Sequence, residues 1–119
     1  MKGYIHSDKG NIDINVEVIE KYAGIEAASC FGVVGMAMVS MKDGLVKLLR
    51  RESLTKGVDI KIEDENKITV DFHIITVYGI SIATISDNLM HTVKYQIEEY
   101  TGMKVEKINI FVEGVRVID

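Results

Sequence analysis

The chain contains no proline but ten glycines, so its reversals must be made by glycine, asparagine and aspartate rather than by pre-bent proline positions. Cys30 is its one cysteine, which excludes an intramolecular disulfide and a cysteine-rich zinc site and fits a reducing cytoplasm. A lone thiol of this kind is expected to be a small buried apolar residue. No apolar run approaches the roughly 20 residues needed to span a bilayer, and the opening Met1-Lys2-Gly3-Tyr4 lacks the apolar block of a secretory signal. The expected location is therefore the cytoplasm, with any work at an envelope depending on a partner or a surface patch. Cations are in deficit: 14 Lys and Arg against 18 Asp and Glu leave a net charge of -4. Nucleic acid is thus an unfavoured partner, because affinity for it comes largely from neutralised phosphates.

What is present is enough apolar residue for a core. With 47% hydrophobic residues in 119, the chain has the size of one domain, expected over residues 1–119. Tyr4-Ile5-His6 and Asn11-Ile12-Asp13-Ile14 flank the turn-rich Ser7-Asp8-Lys9-Gly10, a pattern that predicts a hairpin. Asn15 is placed to cap a helix whose buried face would carry Val18, Tyr22 and Ile25 beside Ile19, Ala23, Ala27 and Cys30. Glu17 in its first turn complements the helix dipole. That helix should stop before Gly32, and Val33 to Val39 reads as a buried strand.

Leu45, Val46, Leu48 and Leu49 lie at helical spacing and predict a short helix from Asp43 to Glu52, ended by Thr55-Lys56-Gly57. Val58, Ile60 and Ile62 alternate with charges, as do Ile68, Val70, Phe72 and Ile74 with polar residues. Two antiparallel strands around Asp64-Glu65-Asn66 follow from that period of two, the second running from Lys67 to Val77. Ser81 should cap a helix over Ile82–Tyr100 with an apolar stripe of Ile82, Ile85, Leu89, Val93 and Ile97. Gly102 should end it in the left-handed conformation, before a last strand over Val105–Ile118. The fold class predicted is α+β: a two-layer sandwich with a small, mainly antiparallel sheet covered by two principal helices.

Chemistry-bearing residues are sparse. His6, His73 and His91 are scattered, so no metal site is expected. Asp87 and His91, four apart on one helix, read as an exposed hydrogen-bonded pair rather than a proton-transfer pair. No serine, threonine or cysteine has a base at suggestive spacing, so neither a catalytic residue nor a cofactor site is assigned. Gly32-Val33-Val34-Gly35 formally matches the Gly-x-x-Gly clamp of KH domains, but its central pair is apolar and it reads as a turn entering a strand. Lys42 to Lys56 is locally basic in an otherwise acidic chain, and Lys47, Arg50 and Arg51 are the expected partner-binding residues. They suit an acidic protein or, weakly and with strong salt dependence, anionic headgroups.

Read in order, several short motifs resemble the alkaline shock protein family of bacterial general-stress and envelope stress response proteins. They are Gly10-Asn11-Ile12-Asp13-Ile14, Glu17-Val18-Ile19, Ala23-Gly24-Ile25, Gly32-Val33-Val34-Gly35-Met36, Lys56-Gly57-Val58 and Ile68-Thr69-Val70-Asp71. Tyr78-Gly79-Ile80-Ser81-Ile82, Thr101-Gly102-Met103 and Val105-Glu106-Lys107-Ile108-Asn109-Ile110 complete the set. Ala83 stands where relatives often carry proline, a helix-compatible departure. The resemblance implies a non-catalytic cytoplasmic interaction or scaffold protein of envelope homeostasis, with a protein partner that can be membrane-anchored and with self-association. The alternatives are a KH-like RNA-binding protein and a regulatory partner of a lipid-metabolism kinase, the latter because family members are often encoded near such enzymes.

Overall fold

The computed structural model describes residues 2–40, 42–63 and 66–118. Strands β1 (Lys2–Ser7) and β2 (Gly10–Asn15) form a separate antiparallel hairpin in which Ser7 faces Gly10. Among its attachments to the rest are contacts at Asn66 and Met103, and Ile14 packs on the main core. Asn66, held in the left-handed region at φ 58°, accepts from the Tyr4 amide at 3.0 Å and donates to the Tyr4 carbonyl. Gly3 lies so close to Met103 that a Cβ there would fall 2.4 Å from its sulfur.

Helix α1 (Val16–Ala28) begins as the sequence predicts, with the Asn15 side chain accepting from the Glu17 amide at 2.9 Å. Its buried face is Ile19, Ala23, Gly24 and Ala27, whereas Val18 is 45% exposed and Tyr22 and Ile25 are half-buried. The face is set by the small residues Ala23, Gly24 and Ala27, which let the helix backbone approach its neighbours, and this rotates Val18 towards water. Tyr22 instead stacks on Tyr100 at 4.0 Å and donates its hydroxyl to Gln96 at 3.2 Å.

The main sheet is built around β6 (Lys67–Val77), whose limits coincide with those predicted. Along one edge it pairs in parallel with β7 (Lys104–Arg116) over its whole length. Along the other it pairs antiparallel with β5 (Val58–Glu63) through Phe72, and then with β3 (Val33–Val39) from Ile74 to Thr76. Of the turn predicted between β5 and β6, Asp64 and Glu65 lie outside the described residues. A three-residue strand, β4 (Val46–Leu48), extends the sheet beyond β3. The arrangement is α+β and mainly antiparallel.

Helix α2 (Ile82–Thr101) supplies the crossover that makes β6 and β7 parallel. The Ser81 side chain accepts from the Thr84 amide, and Gly102 ends the helix at φ 74° while donating to the Glu98 carbonyl. Ile85, Leu89, Val93 and Ile97 are fully buried, the last three in one core with Ile68, Val70, Phe72 and Ile74. Ile82, counted in the predicted stripe, is 48% exposed. It precedes the turn that first packs on the sheet, so the stripe starts one turn later.

The segment predicted as a helix over Asp43–Glu52 forms β4 followed by a 3-10 helix over Arg51–Gly57. Pairing decides this. Met38 faces Lys47, Val39 faces Val46, and the Leu49 amide donates to the Met36 carbonyl at 2.8 Å. β-Branched Val46 and the glycine turn at Gly44 (φ 70°) suit that hairpin better than a helix. Cys30 is buried as expected, with its thiol donating to the Glu26 carbonyl; burial foremost, and the Glu26 charge next, raise its pKa.

Candidate docking surface

The β3–β4 hairpin owes its shape to the turn from Ser40 to Leu45. The Ser40 amide donates to Leu45, the Gly44 amide to Ser40, and the Asp43 carboxylate accepts from the Leu45 amide at 3.1 Å. That backbone hydrogen bond, reinforced by the Ser40 hydroxyl, holds the Asp43 carboxyl below its ordinary pKa. Leu48 turns inward to fill the space left by Gly35, where a Cβ would lie 2.8 Å from Leu48 Cδ1. Alternation along β4 then sends Lys47 to the outer side.

Lys47 is exposed, as is Arg50, which immediately precedes the 3-10 helix. Arg51 opens that helix, and its side chain lies outside the described residues. Lys47 therefore sits on a strand, Arg50 just before the 3-10 helix and Arg51 at its first position, rather than on the single helix predicted. Tertiary structure adds a fourth cation. Arg116, at the end of β7, joins Lys47, Met38, Ser40, Asp43, Leu45, Val46 and Leu48 around a depression of about 520 Å³. Leu45 is 67% exposed, and Val46, Val115, Val117 and Ile118 are exposed with it. Among the described residues, none of Lys47, Arg50 and Arg116 makes an ion pair. The depression thus combines exposed apolar side chains with two cations, Lys47 and Arg116, and the Asp43 carboxylate. Nothing local in the sequence marks Arg116, which only the parallel pairing of β7 brings to the hairpin.

The histidines and the glycine motif are accounted for locally. His6 bonds to the Asn11 side chain and stacks on Tyr4. His91 bonds to the backbone carbonyl of Asp87 at 2.8 Å, not to its carboxylate. His73 lies on the uncovered face of the sheet, stacked on Phe111 at 4.8 Å, between Asp59 (3.6 Å) and Glu113 (3.4 Å). Among the described residues, no three His, Cys, Asp or Glu are grouped to hold a metal ion. Gly32 takes φ 81° and would drive a Cβ to 2.5 Å from Ile85, while Val33 and Gly35 are already paired within β3. The Gly-x-x-Gly stretch is therefore a packed strand entry whose backbone is not presented as a clamp. No helix among the described residues is long and apolar enough to cross a membrane.

Fold and surface together define a small α+β module with an exposed, partly apolar depression where the β3–β4 hairpin meets the end of β7. The model of the alkaline shock protein 23 family, described as having a cell envelope-related function, matches residues 4–117, and the chain belongs to that family. It is 43% identical over 109 residues to the uncharacterized protein YloU of Bacillus subtilis, a match covering 91% of this chain and 90% of that one. It is 36% identical over 115 residues to the uncharacterized protein Spy1614 of Streptococcus pyogenes serotype M6, covering 96% and 94%. A stress response regulator gls24 homolog of Streptococcus pyogenes serotype M3 is 25% identical over 111 residues, which are 91% of this chain but 60% of that protein. The resemblance read from the short motifs and this family membership agree. No solved structure matches the chain.

Proposed function

We propose that the protein is a non-catalytic interaction protein, a scaffold in bacterial envelope stress response and homeostasis. It works in the cytoplasm and meets the envelope by docking an acidic, apolar segment of a membrane-anchored protein on the surface carrying Lys47, Arg50 and Arg116, with Arg51 next in the chain. The observation that carries this is that Lys47 and Arg116 lie beside exposed Leu45 and Val46 and make no ion pair among the described residues. An exposed apolar patch is costly in water, and a partner that covers it while offering acids to Lys47 and Arg116 relieves that cost. The family's envelope-related description supports the setting.

The test is in-cell crosslinking and affinity purification, comparing the native chain with the folded triple variant Lys47→Glu, Arg50→Glu, Arg116→Glu. Loss of one envelope protein from the variant's partners is the expected result. An unchanged partner set would remove the surface from consideration, and RNA as the dominant partner would replace the scaffold by the KH-like reading. If the lost partner is a lipid-metabolism kinase, the scaffold becomes its regulatory subunit.

A further inference from the structure

Leu54 of the 3-10 helix packs on α1 at Gly24, where a Cβ would stand 3.3 Å from Leu54 Cβ. A hollow lies along α1 on either side of that contact, and Leu54 lines both. The one towards the end of α1 measures about 300 Å³ and is walled by Ile25, Ala28, Val34, Leu48, Leu49 and Leu54. It stays open because Ala28 and Gly35, also in its wall, contribute little or no side chain. No charged residue lines it, and Ser29, its one polar side chain, already donates to the Ile25 carbonyl at 2.9 Å. Such a cavity offers water few partners and suits an apolar guest.

The hollow towards the start of α1 is larger, about 540 Å³, and ionic: Glu17, Glu20 and Lys21 come from α1 and Lys56 from the end of the 3-10 helix. Its acids are already engaged by their surroundings. Glu17 lies in the first turn of α1, where the helix dipole meets its charge, and burial foremost makes Glu20 a weaker acid. Its cations are not. Lys21 and Lys56 are exposed, and neither makes an ion pair among the described residues. From Lys21 to Ala28 the helix rises about 10 Å, so the two hollows adjoin as a cleft on the scale of an alkyl chain, apolar at one end and ionic at the other.

We infer that this cleft binds a single-chain amphiphile with an anionic head, of the chemical class of a free fatty acid. Its alkyl chain lies among Ile25, Ala28, Val34 and Leu48, and its carboxylate is met by Lys56 and Lys21. The approach of Leu54 to Gly24 narrows the cleft at its middle, which admits an extended chain and not a partner's helix, about 10 Å across with its side chains. The free lysines select an anionic head, since a cationic one would face them with no acid left to spare. The cleft shares only Leu48 with the depression at the β3–β4 hairpin, so this site stands or falls apart from the docking surface.

Isothermal titration calorimetry of the whole chain with dodecanoate, kept below its micelle-forming concentration, tests this. Saturable binding of one molecule per chain is expected, with affinity rising about fourfold for each methylene added from octanoate to dodecanoate. Dodecyltrimethylammonium has the same chain and the opposite head, and should bind about tenfold more weakly although the protein is net negative. Ala28→Phe, which fills the apolar end, should lower dodecanoate affinity on the order of tenfold or more, its fold being checked by thermal melting. Lys56→Glu, at an exposed position, should lower it on the order of tenfold and stands as a test by itself. The absence of saturable binding, binding indifferent to both variants, or binding to phosphatidylglycerol vesicles but not to dodecanoate would overturn the inference.

Discussion

The sheet has two very different margins at β4 and β7. β4 is three residues long, carries Lys47 at its centre and leads directly into a 3-10 helix. β7 is thirteen residues long and runs through five consecutive uncharged residues. A short edge with an outward lysine discourages strand addition, and what β4 presents to solvent is its side chains. A long edge with an uncharged centre leaves its outer backbone groups open to pairing. The two margins nevertheless meet at one end, where Arg116 from β7 lies beside β4.

The strongest way to break this contrast is to remove what both margins share. Phe72 is fully buried at the centre of β6, so Phe72→Ala should cost about 3–5 kcal/mol, and urea melts should show both margins unfolding in one transition. Gly57→Ala should separate them. A Cβ there would meet the Ala37 carbonyl at 2.9 Å and Met36 Cβ at 3.1 Å. A loss of about 1–3 kcal/mol is expected, with hydrogen exchange accelerated at Leu49 and β4 and unchanged in β7.

Thr101→Val strikes the other margin. The buried Thr101 hydroxyl accepts from the Met103 amide at 3.0 Å and donates to the Ile97 carbonyl at 2.8 Å. Leaving that amide unpaired should cost about 1–2 kcal/mol and loosen the first residues of β7 while sparing β4. The smallest effect falls on neither margin. Burial, and then the charges of Asp59 and Glu17, raise the pKa of Glu20. A carboxyl whose folded-state value exceeds its unfolded one costs nothing while protonated in both states, and costs stability as pH rises through the folded value. Glu20→Gln should therefore stabilise the protein at neutral pH by less than about 0.5 kcal/mol and not below the ordinary carboxyl range, a difference that melts at the two pH values will register.

Local rules explain why so much of β5, β6 and α2 was legible. Alternation at Ile68, Val70, Phe72 and Ile74, a serine before Ile82 and a glycine after Thr101 each act within a few residues. The segment from Asp43 to Glu52 was misread for the complementary reason. Leu45, Val46, Leu48 and Leu49 fit a helical period, and only the distant backbone of Met36, Ala37 and Met38 turns them into a strand. The lining of the depression at the hairpin was legible only in part for the same reason: Lys47 stands in a basic run, while Arg116 arrives through the pairing of β7 with β6. Glycine and alanine masked the orientation of α1, since a face chosen for close approach leaves no large apolar marker where the contact is made.

Cys30 gives this protein a clock of its own. Its sulfur is buried where α1 hands over to β3, bonded to the Glu26 carbonyl and less acidic than an ordinary thiol. A reagent that needs the exposed thiolate must wait for that junction to part. With no other thiol in the chain, the rate of alkylation counts those partings one by one, without any label having been introduced.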